Sequence, residues 1–325
     1  MKRLISLFVS LAILGIIYWR IDLNGLLRVL KHCDGSWMTI SLGMVIPLTC
    51  ITAWRLQQLM PLGSRLGFGE ANRLILVASV LNMVLPSKMG DIAKAYFMKE
   101  RGHLNASLSL SLVLFEKACD MLSLLLWCVF GLLLYPKKDL LFWTMTLCVA
   151  LGLGLGFLLL SSPRFARSFF HLTLRIAPEA LGARIEKLEA SWEQMLTYFW
   201  EDRIRAQKVA FTSIFLWFLH LLQIWFFILA LKARAPFLAN LALSPLAILA
   251  GLLPFTFAGI GTRDAALITF YQPFFNAPAA AALGVLCTSR YLLPAMAGLP
   301  FLAHYLTKLR GLPGVWQTLP LRSQE

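Results

Sequence analysis

Leu81-Asn-Met-Val-Leu-Pro-Ser-Lys-Met-Gly-Asp91, continuing into Ile92-Ala-Lys-Ala-Tyr-Phe-Met-Lys99, decides how this chain is read. The stretch lies between long apolar runs, yet it carries a proline, a glycine and charges where a lipid-facing helix carries none. Backbone that leaves the helix at membrane depth survives only where protein or a water-filled cavity satisfies its freed N–H and C=O groups. The stretch therefore reads as a broken helix lining an internal cavity. Leu252-Leu-Pro-Phe-Thr-Phe-Ala-Gly-Ile-Gly-Thr-Arg-Asp264 has the same character.

Composition sets the class. A chain of 325 residues that is 59% hydrophobic and 14% charged, with a mean hydropathy of +0.72, is outside the range of ordinary soluble domains and reads as an all-α polytopic membrane bundle. Its formal charge of +14 sits mainly at the ends of apolar runs and in loops. That placement fits the positive-inside rule and anionic lipid headgroups, and argues against nucleic acid as a partner. Cys33, Cys50, Cys119, Cys128, Cys148 and Cys287 form no CxxC pair and read as small apolar residues rather than disulfides or zinc ligands.

Outward from the broken stretch, apolar run lengths give the topology. Leu4 to Trp19 follows Met1-Lys-Arg without a small-x-small cleavage site, so it reads as a retained first span with a cytoplasmic N-terminus. Arg20 to Gly35 suits a short amphipathic helix at the far interface, and Trp37 to Trp54 returns to a cytoplasmic side marked by Arg55, Arg65 and Arg73. Leu74 to Leu85 is too short to cross a core that needs ~20 residues. With Lys94, Lys99 and Arg101 following, it is expected to enter and leave on one side as a re-entrant hairpin. Asn105 to Leu134 and Leu140 to Leu160 are long enough to span. Gly152, Gly154 and Gly156 form GxGxG without a preceding strand, which points to helix packing through Gly152 and Gly156, not to a dinucleotide.

Pro163 to Lys208 is the one extended polar region, and the three-to-four spacing of Leu181, Ile185, Leu188, Trp192, Met195, Leu196 and Phe199 predicts an amphipathic helix on the membrane or under the bundle. Val209 to Leu231 crosses outward. Leu241 to Leu253 is again too short, breaks at Pro254, resumes as Thr262 to Tyr271, and is followed by a last span, Ala279 to Leu306, that puts the C-terminus in the cytoplasm. The chain thus reads as one membrane domain over 1–325, with halves at about 1–160 and 209–310 joined by 163–208. Two hairpins entering from opposite sides make a weak inverted repeat, the recurring build of transporters with a binding site at the repeat interface.

Several residues can carry chemistry there. Glu116, Lys117 and Asp120 lie mid-span, where each charge costs roughly 2.5 to 3.5 kcal/mol on the lenient insertion scale, so they face a cavity or one another. They are read either as an ion-pair lock or as coupling groups, with Asp264 in the same class. In the first hairpin Asn82, Pro86, Lys88, Gly90, Asp91 and Lys94 are candidates for a phosphate headgroup, with Gly90 giving backbone access. In the second, Gly259 and Gly261 give the same access, Thr262 can cap the following half-helix, and Arg263 supplies a bidentate clamp. Asp264 can hold Arg263 or pair with Arg290, itself stranded in the last span. No catalytic motif is recognisable, and no metal ligand set or cofactor is expected.

The same residues carry a family likeness. Asn82 to Asp91 with Lys94, then Glu116-Lys-x-x-Asp120, then Pro254 to Asp264 resemble the transmembrane flippase domain of lysylphosphatidylglycerol synthases and its stand-alone relatives, and Ala53-Trp54-Arg55 looks like that family's Arg-Trp element in altered order. Lys88, Lys94 and Asp264 depart from the family's usual Arg, Arg and Glu, which weakens bidentate phosphate gripping in the first hairpin. The resemblance implies movement of a lipid between leaflets of the bacterial inner membrane, with a phospholipid or polyprenyl-linked lipid as cargo. It also implies a stand-alone member without the aminoacyl transferase domain. A lipid-modifying transferase and a partner subunit of an envelope lipid pathway are the alternatives, and a homo-oligomer or an envelope-pathway enzyme are further partners to expect.

Overall fold

Short polar side chains set the helix starts. A computed structural model describes residues 23–61, 63, 66–84, 90–135, 138–252 and 261–309. In it α1 (Leu23–Lys31) and α2 (Gly35–Gly43) meet at Asp34, whose carboxylate accepts from the Ser36 and Trp37 N–H groups, and α3 (Val45–Leu59) continues the span. Then come α4 (Phe68–Val84), α5 (Gly90–Gly102) and α6 (Ala106–Leu134), the last capped by Asn105 accepting from the Leu108 N–H. Asp139 caps α7 (Leu140–Ser161), and Ser162 caps α8 (Pro163–Ile176), which has proline in its first turn. After α9 (Glu179–Glu201), Asp202 caps α10 (Arg203–Ala230). The series closes with α11 (Phe237–Gly251), α12 (Thr262–Tyr271) and α13 (Ala277–Leu309). Each cap satisfies an N–H that the first helical turn leaves open.

Among the described residues there is no strand, and five helical stretches are long and apolar enough to cross a membrane: Gly35–Leu59, Ala106–Leu134, Leu140–Ser161, Arg203–Ala230 and Ala277–Ala303. This is the expected all-α polytopic architecture. The first span expected over Leu4 to Trp19 lies outside the described residues. α11 begins earlier than the apolar run suggests, at Phe237 rather than Leu241, because Pro236 ends the preceding extended segment and admits a helix directly after it.

Both short pairs fold back on themselves. Gly90 at the start of α5 lies against Ala78 and Asn82 of α4, while Phe97 meets Tyr305, which also reaches Glu70 at the α4 start; the two helices therefore run antiparallel. In the second pair Gly251 lies against Arg263, and Tyr271 reaches back to Ser244 and Asn240. The open ends of the two hairpins belong to different apolar cores. One core joins Leu59, Leu74, Phe97, Leu112, Met195, Phe199 and Val209; the other joins Leu132, Phe142, Leu221, Phe227, Leu246, Tyr271 and Leu283. α6, α10 and α13 run through both, so the hairpins rise toward each other from opposite ends of the bundle.

The polar connector is tied to the first of these ends. Met195, Leu196 and Phe199 of α9 are buried, Ser111 donates to the Ser191 carbonyl, and Trp192 donates to the Leu159 carbonyl. The amphipathic helix is thus packed under the bundle. Gly152 and Gly156 receive Leu125 and Leu122 of α6, as their spacing implies, and Gly154 faces open space. All six cysteines are free, with Cys119, Cys128 and Cys287 buried.

Candidate functional site

Between the two apolar cores lies a band of buried polar side chains. Glu116 on α6 is 2% exposed and accepts from Arg55 Nη2 at 2.8 Å and from Lys94 Nζ. Arg55, on α3 and equally buried, also donates from Nη1 to Asp120 and to Ser213 Oγ at 2.7 Å. Lys117 then links Asp120 at 3.9 Å to Asp91 of α5 at 3.3 Å. Three cations and three carboxylates from three helices form one network. Burying any of these charges alone would be prohibitive; pairing with hydrogen bonds is what makes it tolerable.

The network is graded in exposure. The Arg55, Lys94 and Glu116 side chains are sealed, whereas Asp91, Asp120 and Lys117 are 15, 26 and 44% exposed. A charge at the middle of a span faces the bundle interior or a cavity and pairs with its neighbours, as Lys117 does with Asp91 and Asp120. The α5 start thus marks the open side of the network.

The second hairpin carries its own pair. Arg263 is 4% exposed and donates to Asp264 Oδ1 at 2.7 and 3.0 Å, to the Gly284 carbonyl at 3.0 Å and to Thr288 Oγ1 at 2.7 Å. Asp264 also accepts from the Gly261 N–H at 3.1 Å. Glycine makes the room: a Cβ on Gly284 would stand 2.7 Å from Asp264 Oδ1, and one on Gly251 would stand 2.8 Å from Arg263 Cβ. Gly261 itself has φ of 106°, a conformation that L side chains avoid.

Several expectations change. Arg55 does not mark a membrane surface; it is the hub of the buried network, because its guanidinium can meet two carboxylates one turn apart on α6. A lone Arg near the end of an apolar run gave no hint of this, although the surplus of mid-span acids opposite was a signal. Gly90 provides close approach to α4, since a Cβ there would collide with the Ala78 carbonyl oxygen. Thr262 is the first helical residue and not the cap; Gly261 occupies that position and the Asp264 carboxylate closes it. Asp264 chooses Arg263 over Arg290. Asn82 packs beside Gly90, and its Oδ1 has no hydrogen-bond partner among the described residues. Lys94 is committed to Glu116. Pro86, Lys88 and Gly259 lie outside the described residues. Among those described, no group of His, Cys, Asp and Glu is arranged to hold a metal ion.

Beside the network, α3 and α10 leave a groove of about 300 Å³ lined by Ile51, Trp54, Phe211, Thr212 and Phe215. It is apolar and opens outward from the bundle, one residue along from Arg55 and Ser213. A family model described as the lysylphosphatidylglycerol synthase TM region matches residues 3–291. Comparison with curated proteins gives no match.

Proposed function

This chain belongs to the lysylphosphatidylglycerol synthase transmembrane family, which makes it a membrane protein of lipid metabolism or transport, and on that premise we propose that it is a lipid translocase rather than an enzyme. Its cargo would be a phospholipid or lipid-linked headgroup that passes between leaflets through the polar band while the acyl chains stay in the bilayer. One observation supports the reading: two hairpins from opposite ends of the bundle flank a band of charged side chains whose Asp91, Lys117 and Asp120 members are partly exposed. A bundle needing charge only for rigidity has no use for the exposed half of that network. The groove at Trp54 and Phe211 suits a chain that trails into lipid while its headgroup is inside. The end bearing α8, α9 and the start of α10 is rich in Arg and Lys, which fits a cytoplasmic face of a bacterial inner membrane with both termini on that side.

The test is a leaflet-sidedness assay in proteoliposomes with fluorescent phospholipids, comparing wild type, Asp120→Asn and Lys117→Met. Wild type is expected to accelerate exchange over empty vesicles, and each variant to slow it at least tenfold. Exchange no faster than in empty vesicles removes the translocase reading. Covalent change of the lipid would instead mark a transferase.

A further inference from the structure

α8 and α9 lie across the end of a span, not alongside it. Trp192 and Trp200 of α9 are two turns apart, about 12 Å along a helix axis. Yet they donate to neighbouring carbonyls in the last turn of α7, Leu159 at 3.1 Å and Leu160 at 3.0 Å. A helix running beside α7 would meet carbonyls as far apart as the two rings. α8 is antiparallel to α9, since Arg167 pairs with Glu193 at 2.8 Å and His171 faces Glu189 at 3.9 Å, so its axis crosses α7 as well. The 22 residues of α7 are long and apolar enough to cross a membrane and reach about 33 Å, close to the ~30 Å of a hydrocarbon core. Both helices therefore lie flat where that core gives way to headgroups.

The sequence divides α8 lengthwise. Ala166 and Phe170 share one strip of its surface; Ala166 is fully buried and Phe170 meets Trp192 with ring centroids 6.2 Å apart, so this strip faces α9. At about 100° per residue, Arg167 and His171 come next on one side, followed by Arg164 and Arg175, and α8 contains no Asp or Glu. Arg164 and Arg175 are exposed and have no carboxylate within ion-pair distance among the described residues. On the other side come Phe169, Ile176, Phe165 and Leu172, with Leu172 57% and Ile176 77% exposed. A flat helix with one basic margin and one bare apolar margin has the build of an interfacial helix: the apolar margin sinks among acyl chains while the cations stay with the headgroups.

We propose that α8 docks on the anionic lipid surface at this end of the bundle, with Leu172 and Ile176 inserted and Arg164 and Arg175 reading the charge of the leaflet. The lipids concerned are the surrounding leaflet and not cargo, so the inference stands apart from the transport reading. An acidic protein segment would satisfy the arginines but leave the apolar margin bare at the level of the acyl chains. Attraction to a charged surface counts charge and ignores headgroup identity, and salt screens it beyond about 10 Å at 0.1 M.

Leu172→Cys and Arg167→Cys, each in the cysteine-free full chain, are labelled with an environment-sensitive fluorophore and placed one copy per nanodisc. The discs hold phosphatidylcholine alone or with equal fractions of phosphatidylglycerol or phosphatidylserine. Lipids carrying a quencher on the acyl chain should quench the Leu172 label about threefold more strongly than the Arg167 label. Either anionic lipid should shift the Leu172 emission to the blue by the same amount, and 0.5 M salt should cut that shift by about half or more. Arg164→Gln combined with Arg175→Gln should abolish the shift; all four positions are exposed, so folding is not at stake. Equal quenching of the two labels overturns the docking. A shift that persists in the double variant overturns the role of the arginines, and one given by phosphatidylglycerol but not by phosphatidylserine would mark a headgroup site in place of a charged surface.

Discussion

Glu116→Gln is the most informative single change to the buried network. The carboxylate holds two sealed cations, Arg55 at 2.8 Å and Lys94, and each of the three groups is about 2% exposed. Removing one partner of a buried pair costs about 3 to 5 kcal/mol, because it strands the remaining charge. Arg55 keeps Asp120 and Ser213, so Lys94 bears the loss. Gln preserves the shape and one acceptor oxygen, which places the expected cost near the lower bound, about 3 kcal/mol. Lys94→Met added to Glu116→Gln removes the stranded ammonium and should return most of that cost, giving a coupling of about 2 kcal/mol in a double-mutant cycle. Reversible unfolding in mixed micelles measures it. Glu116→Gln within about 1 kcal/mol of wild type, or additive effects of the two changes, would refute the pairing argument. Transport by the double variant then separates roles: restored stability without restored transport assigns the network to function as well as to structure.

Other predictions are simpler. Gly298→Ala should destabilise by about 1 to 3 kcal/mol, since its Cβ would collide with the Leu76 carbonyl oxygen, whereas Gly154→Ala, with open space around it, should be neutral or slightly stabilising in the same unfolding assay. Tyr271→Phe leaves Ser244 Oγ and Asn240 Oδ1 short of a buried partner at 2.8 and 3.2 Å, and should cost about 1 to 3 kcal/mol. In a cysteine-free background, Gly69→Cys and His103→Cys should react with an impermeant thiol reagent from one side of the membrane, and Lys232→Cys and Asn276→Cys from the other; opposite sides for the first two would end the hairpin topology. Arg167→Ala breaks only an exposed pair with Glu193 and should change stability by under about 0.5 kcal/mol.

The architecture was legible because it follows from run length and punctuation. Twelve or so apolar residues before Pro86 and before Pro254 cannot cross a bilayer, and in both places the chain turns back. Glu116 and Asp120 share a helix face by spacing alone, and they do meet a common partner. The partner was not legible: Arg55 is 61 residues from Glu116, and nothing local distinguishes a hub arginine from a membrane-edge one. Glycines were ambiguous for the same reason. Gly90 and Gly284 each mark a close approach, but the sequence does not say whether backbone, carboxylate or ligand fills the space. Arg290 was legible as a stranded charge, but its pairing was not, because Asp264 was an equally good partner until Arg263 claimed it.

The last helix has a mechanical consequence. α13 lies against α4 at Gly298 and against Asp264 of α12 at Gly284, with Pro294 interrupting its hydrogen bonding between the two seams. A single rod is therefore clamped to both hairpins and jointed at its middle. Because Pro294 leaves the Arg290 carbonyl without its helical N–H partner, the stretch between the two seams is where the parts of α13 held by the two hairpins are least rigidly joined.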